Sequence, residues 1–313
     1  MVDIIVANGH GVGKYCNVKR IPVAGETARA SNLRFEEDAG KGTNAAVAIA
    51  RMGGRVAFLG KAGQDEAGEL GMKWMTEAGV DTRFFWLDPN IATDLGLVVI
   101  AEDGSNLCID FDSDLNNLQV SEADAFLPVL AKEARYVISG FSVSTETAFH
   151  VMKLGKSLGL TTMLNPSPLV EGTVFPPLDD VDYLFVNETE ARILLDLEKG
   201  QREDEDYIAL AGEIRRRLGP RTVIITLGAD GSVACTPERS FAVPAKKVRM
   251  VDQTGAGDGF LAAVTWRLSE GDDLEAAMRW ASIYCAYLVT QVGSLGTYPK
   301  QDKIQEIFRD QAL

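Results

Sequence analysis

With 313 residues, 46% of them hydrophobic and 24% charged, the chain has the material for one large α/β core with an appendage and is neither a fibre nor a disordered polymer. A formal net charge of −14 argues against nucleic acid as a partner, since phosphate backbones need a basic face, but leaves room for a small anion held by N–H groups and a few cations. Cys16, Cys108, Cys235 and Cys285 show no metal-ligand spacing, and His10 and His150 are the only histidines, so an imidazole or thiolate metal centre and a Ser/His/Asp triad lack material. The N-terminus has no basic leader and its apolar run is too short to span a bilayer, so a cytoplasmic protein with reduced thiols and no membrane partner is expected.

In chain order, Ile4-Ile5-Val6-Ala7 reads as a buried strand that runs into a glycine-rich loop from Asn8 to Tyr15. That loop fails as a P-loop, because Asn8 and Tyr15 stand where a glycine and a Ser or Thr are required. It fails as a dinucleotide fingerprint because Lys14 holds the third glycine position. It is expected as a strand-end loop over a pocket, with Lys14 either a contact or a solvated side chain. Residues 17–36, broken by Pro22 and Gly25, read as a pair of small strands outside the main core. Asp38-Ala39-Gly40-Lys41-Gly42-Thr43-Asn44 then opens an apolar helix from Ala45 to Met52; Thr43 or Asn44 caps it, or Lys41 and Asn44 face the loop mouth.

A strand at 55–60, a helix at 66–78 and a strand at 83–87 begin the α/β alternation. Residues 91–112 interrupt it with an expected hairpin, strands 95–100 and 106–111 about a turn at 102–105. A helix at about 121–132, a strand at 136–139, a helix at about 144–158 and a strand at 160–164 resume it, until Asn165-Pro166-Ser167-Pro168 stops the last. After the strand at 182–186, Asn187-Glu188-Thr189-Glu190 places carboxylates where open parallel sheets bind ligands; the same spacing also spells a capping box. Residues 198–206 read as an acidic surface loop, and the strand from Val223 runs into a tight turn, Gly228 to Gly231, able to hold a nucleotide by its backbone. From Val251 to Phe260 a loop turns into a helix. Small residues at 255–257 let a backbone approach an anion, while Asp258 in the first turn is either favoured by the helix dipole or placed to abstract a proton, with Thr254 as a possible N-cap. A helix from about 272 carries Ala276, Ala277, Trp280, Ala281, Cys285 and Leu288 as a core stripe.

Gly40-Lys41-Gly42-Thr43-Asn44, Asn187-Glu188-Thr189-Glu190, Thr226-Leu227-Gly228 and Gly255-Ala256-Gly257-Asp258 occur in the order and spacing of the PfkB sugar kinases. The chain resembles the ribokinase-like members of that family over nearly its full length. The resemblance implies a three-layer α/β/α fold with a mostly parallel sheet of eight or nine strands. It implies a single kinase domain over 1–313, with a small β-sheet lid from segments at about 13–38 and 91–113 that often pairs subunits into a homodimer. It makes Asp258 the base toward a hydroxyl, primary in kind, of a small sugar or polyol, and the N–H groups of Gly255, Ala256 and Gly257 the anion hole. Gly40, Lys41 and Asn44 would contact the sugar. Asn187 and Glu190 would lie by the ATP phosphates, Glu190 organising Mg²⁺ through water, while Thr226, Gly228 and Gly231 line the nucleotide and Ser282 falls near adenine. A K⁺ site is implied at Asp252 and Thr297, with the carbonyls of Thr254 and Gly293. The departures concern substrate. Gly11 and Gly13 stand where ribokinases place Asn and Asp to grip sugar hydroxyls, and Phe141 replaces a later glutamate, so ribose should not bind in the usual way. Lys14, His10 and Phe141 are the other candidate contacts. Phe141 leaves open a nucleoside kinase, and a non-catalytic sugar sensor is the remaining alternative.

Overall fold

Apolar strands alternating with helices that each carry one apolar stripe demand a sheet covered on both faces. The computed structural model describes residues 2–35, 38–102, 106–111, 113, 116–197 and 206–309. Residues 103–105 of the expected hairpin turn, residues 198–205 of the expected acidic loop and the Cys108 side chain lie outside that description. β1 (Ile4–Ala7) leads into β2 (Gly11–Val18) and β3 (Ser31–Phe35), and α1 (Gly40–Met52), β4 (Val56–Gly63), α2 (Glu66–Ala78) and β5 (Asp81–Asp88) follow. β6 (Asp94–Ala101) and β7 (Asn106–Phe111) precede α3 (Val120–Leu130), β8 (Tyr136–Gly140), α4 (Thr145–Ser157), β9 (Thr161–Asn165), β10 (Tyr183–Asn187) and α5 (Glu188–Leu194). Then come α6 (Tyr207–Leu218), β11 (Thr222–Thr226), β12 (Ser232–Cys235), β13 (Ser240–Val243), α7 (Ala256–Glu270), α8 (Leu274–Leu288) and α9 (Gln301–Phe308).

Among the described residues the strands form a nine-stranded sheet, ordered β13-β12-β11-β10-β9-β8-β1-β4-β5, and a separate four-stranded one, β3-β2-β6-β7. The large sheet is parallel except at one edge, where β12 runs antiparallel to both its neighbours, β11 and β13. β1 lies inside it with both faces buried. Ile4 and Val6 pack toward the layer of α1, α2, α7 and α8, Ile5 and Ala7 toward that of α3 to α6, and each buried isoleucine contributes roughly 1.5–3 kcal/mol. The second sheet leaves from the carboxyl ends of β1 and β5, the edge of an open parallel sheet at which ligands bind.

Three expectations are corrected. The glycine-rich stretch is no loop from residue 11 onward: Gly11 to Val18 is a strand, paired in register with Asp94 to Ala101 of β6, and this pairing rather than the local glycine content decides its conformation. α1 begins at Gly40 rather than Ala45, with Ala39 at the N-cap position and no side-chain cap; Thr43 and Asn44 sit inside the helix and are buried. Thr254 is no N-cap either, because Gly255 takes that position for α7. α6, β13 and α9 had no counterpart in the sequence reading.

Candidate active site

Two helix starts meet at the carboxyl edge of the large sheet. Gly255, at the N-cap of α7, is left-handed (φ 74°), and a Cβ there would come within 2.8 Å of both Ser294 Cβ and the Tyr298 hydroxyl oxygen, so glycine is required twice over. Tyr298 fixes the turn by donating its hydroxyl to the Gly255 carbonyl at 2.9 Å. The Ala256 N–H is engaged with the Gln253 carbonyl at 3.1 Å, which leaves the amides of Gly255, Gly257 and Asp258 as the open donors of this turn among the described residues. A Cβ at Gly257 would meet nothing within 4 Å, so open space lies against the helix start. Asp258, in the same first turn, is only 7% exposed. Its Oδ2 accepts a 3.0 Å hydrogen bond from Asn44 Nδ2, whose own Oδ1 is buried without a partner. Burial pushes the Asp258 carboxyl above the ordinary aspartate range. The Lys41 charge and the Asn44 bond oppose the rise, and the charges of Asp38 and Glu190 add to it.

Around α1 the chain packs backbone on backbone. A Cβ at Gly42 would sit 2.5 Å from the Gly9 carbonyl oxygen, and Gly40 is left-handed (φ 68°). Just ahead of the helix, Asp38 accepts hydrogen bonds from the Tyr15 hydroxyl at 3.1 Å and from Ser294 Oγ at 3.0 Å. Of the other candidate substrate contacts, His10 is withdrawn. It is buried, its Nδ1 lies 2.8 Å from Thr43 Oγ1 and its Nε2 3.3 Å from the Ala67 carbonyl, and burial pulls it down to about 4, so it stays neutral in the core. Lys14 Nζ lies 4.6 Å from the centre of the Phe35 ring. Phe141 packs with Phe149 and Phe175, ring centres 5.6 and 5.8 Å away.

Farther along the same edge, Asn187 and Glu190 form the capping box: Asn187 Oδ1 accepts from the Glu190 N–H at 2.8 Å, and Glu190 Oε2 from the Asn187 N–H at 2.9 Å. Glu190 Oε1 has no protein donor among the described residues, although the residue is only 6% exposed. Thr226 lies in register with Asn187 on the neighbouring parallel strand. Beyond it Gly228 (φ 52°) and Gly231 (φ 103°) bound a single turn, and a Cβ at 231 would come within 2.1 Å of the Val243 carbonyl oxygen. Ser282 Oγ donates to the Pro244 carbonyl at 3.1 Å and accepts from the Lys246 N–H at 3.2 Å, holding the loop after β13 against α8.

The four residues of the expected cation site fall on two adjoining loops. Asp252 accepts from the Thr254 N–H at 2.9 Å, from Thr254 Oγ1 at 2.7 Å and from the Gly293 N–H at 2.9 Å, while Thr297 Oγ1 donates to the Ser294 carbonyl at 2.6 Å. Burial raises the Asp252 carboxyl, but the N–H bonds from Gly293 and Thr254, the Thr254 hydroxyl and the Gln253 N–H outweigh it together and hold the group below its usual range. An ionised carboxylate beside the Thr254 hydroxyl is hard-oxygen chemistry of the kind that suits an alkali cation.

Sequence reasoning gave no role to Tyr15, Asp38, Ser294 or Tyr298. Their contacts join segments up to 256 residues apart.

A nine-stranded, mostly parallel sheet between two helical layers, carrying a second small sheet over a glycine-lined helix start, defines a class of small-molecule kinases. The chain belongs to the pfkB family carbohydrate kinases, whose family profile matches residues 14–301. It is 31% identical to a ribokinase of Bacillus subtilis over 91% of this chain and 92% of that protein. It is 27% identical to a deoxyribokinase of Salmonella typhi over 97% of this chain and 98% of that protein. A ribokinase of Arabidopsis thaliana, solved with ribose and ATP, shares the fold with a TM-score of 0.85 at 24% identity, covering 99% of this chain and 100% of that one. A Thermotoga maritima ribokinase does so with a TM-score of 0.84 at 22% identity, again over 99% and 100%.

Proposed function

We propose that the protein transfers the γ-phosphoryl group of ATP to a hydroxyl, primary in kind, of a small sugar or polyol, with Asp258 as general base. The observation that carries this reading is the buried Asp258 carboxylate, held by Asn44, in the same helical turn as the open space beside Gly257. A carboxylate there is unfavourable beside a phosphate unless it takes a proton from the second substrate, and its raised pKa suits that task. The acceptor oxygen forms the new bond to phosphorus, ADP leaves, and the hydroxyl proton passes to Asp258. Gly255 and Gly257, with Ala256 shaping the turn, offer N–H groups to the charge that moves onto the phosphoryl oxygens. Lys41 and Asn44 present the acceptor, and the backbone at Gly40 lets it approach.

On this reading Asn187, Glu190, Thr226, Gly228, Gly231 and Ser282 frame the nucleotide. No group of three or more His, Cys, Asp or Glu is gathered as a metal cage among the described residues. Glu190, with one oxygen free of protein donors, would hold a Mg²⁺ through water, and such an ion would neutralise phosphate charge. Asp252, Thr254, Gly293 and Thr297 fit a K⁺ ion beside the anion hole. The small sheet is proposed as a lid on a single kinase domain, and as the surface through which two copies pair. Among the described residues no helix is long and apolar enough to cross a membrane, and we place the reaction in the cytoplasm. The ribokinase and deoxyribokinase relatives make pentoses and deoxypentoses the first acceptors to try. The Phe141 ring packs with Phe149 and Phe175 and stays partly exposed, and nucleosides remain the second class of acceptor to try.

The test is ADP release over pentoses, hexoses, ketoses, polyols and nucleosides, in K⁺ and in Na⁺ buffers, for the wild type and Asp258→Asn. The variant should bind ATP normally and lose roughly 10²–10⁴-fold in turnover. Substantial remaining turnover would refute the base, equal rates in the two buffers would refute the K⁺ site, and a wild type inert on the whole panel would favour a sugar sensor.

A further inference from the structure

We infer that Asp38 is a specificity-determining residue of the acceptor site, presenting its carboxylate to a pair of hydroxyls on the sugar from the wall beside Gly13. The inference rests on the kinase reading above.

The place comes first. A Cβ at Gly13 would lie 2.6 Å from Tyr15 Cε2, 3.1 Å from Asp38 Oδ2 and 3.3 Å from Asp38 Cβ. The Gly13 N–H donates to the Asp38 carbonyl at 2.9 Å, which pins the two backbones together. Position 13 therefore has no room for a side chain, because the Tyr15 ring and Asp38 together fill the space a Cβ would need. The carboxylate against this stretch of wall comes from just ahead of α1, not from β2.

The orientation follows from its partners. Asp38 Oδ2 accepts from the Tyr15 hydroxyl and Oδ1 from Ser294 Oγ, and no cation pairs with it among the described residues. A carboxylate has about four acceptor positions. Two neutral donors use one on each oxygen, and a free position on each remains, the geometry that a pair of neighbouring hydroxyls satisfies. Asp38 is partly exposed, whereas the other carboxylate near the reaction, Asp258, is buried. The Ser294 that holds Asp38 also lies against Gly255, since a Cβ on that glycine would be 2.8 Å from Ser294 Cβ. The proposed grip therefore stands beside the anion hole and close enough for its charge to act on Asp258. Two carboxylates in one pocket also select against acceptors that bear a carboxylate or phosphate of their own.

Asp38 also links the start of α1 to the loop of Ser294, so a purely structural latch is the competing role, and the experiment must separate the two. Asp38→Asn keeps the shape and can still accept from Ser294, and Asp38→Ala removes both functions. Steady-state kinetics are measured for both variants on the acceptor that the wild type turns over fastest among pentoses, hexoses, ketoses and polyols, and on each monodeoxy analogue of it. A grip predicts that KM for the full sugar rises at least tenfold in both variants, while KM for ATP stays within about twofold. It also predicts that one or two monodeoxy analogues, those lacking the gripped hydroxyls, show little further loss. A KM for the full sugar within twofold of wild type in Asp38→Asn overturns the inference. So does an equal loss on every analogue that tracks a fall in Tm, the signature of a latch. In both cases the Asp258 assignment stands. A wild type inert on the whole panel removes the kinase reading and this inference with it.

Discussion

Asp258 and its neighbours make a pH dependence with a defined sign. Burial lifts its pKa, so the proton-accepting form is reached only above the ordinary aspartate range, and kcat/KM should show an acid limb displaced upward accordingly. The charged or hydrogen-bonding groups acting on it are Lys41 and Asn44, which favour the anion, and Asp38 and Glu190, which disfavour it. Lys41→Met removes a stabilising cation and should move the limb to higher pH; Asp38→Asn removes a like charge and should move it to lower pH. Profiles that stay put in both variants would dissociate Asp258 from the titration. The glycines of the same turn give a second contrast. Gly257→Ala adds a methyl group to open space, so Tm should hold while kcat falls. Gly255→Ala forces a left-handed alanine into Ser294 and Tyr298 and should cost about 1–3 kcal/mol, seen as a lowered Tm. At this scale the sequence was informative wherever a motif was local. Asp258 could be singled out because a carboxylate is out of place at a phosphate-facing helix start. Asp38 and Tyr298 could not, since the partners that give them a role are distant in sequence.

Among the elements, α5 shows how one device can serve two purposes. The capping box of Asn187 and Glu190 is structural, and it also fixes where the free oxygen of Glu190 sits. Asn187→Ala should cost about 1 kcal/mol through the lost cap. If Asn187 also lies by the nucleotide, KM for ATP should rise beyond what differential scanning fluorimetry and a surface-cap control account for. A KM unchanged at lower Tm would leave the residue a cap and nothing more. Strand and helix alternation was legible for most of the large sheet, with β1 and α2 placed to the residue. The misplaced elements share a cause. β2 is held by its long pairing with β6, which overrides a glycine-rich sequence, and the first turn of α1 is glycine-rich because the backbone of Gly9 packs against it. α6 escaped notice although Tyr207 to Leu218 has Asp206 as its cap, because the acidic run before it masked the change of pattern.

At the scale of the whole molecule, the small sheet turns apolar side chains to solvent. On β7, Leu107, Ile109 and Phe111 alternate onto one face, and Phe111 is 56% exposed. Leu33, on β3, is 63% exposed. Monomers rarely leave such surface bare, and pairing through it should give a dimer by light scattering at micromolar concentration. Phe111→Glu should shift the mass toward one chain; a wild type that is monomeric throughout would dispose of the lid as a pairing surface. A final consequence concerns folding. The bond from Asn44 to Asp258 joins points 214 residues apart, and the one from Ser294 to Asp38 spans 256. Contacts of that separation carry a loop-closure cost before they contribute anything, so they form late. During refolding, helix content and the burial of aromatic side chains should therefore recover ahead of turnover. Catalytic rate would be the most stringent reporter of complete assembly, since the ribosome must release nearly the whole chain before the first and last thirds can meet.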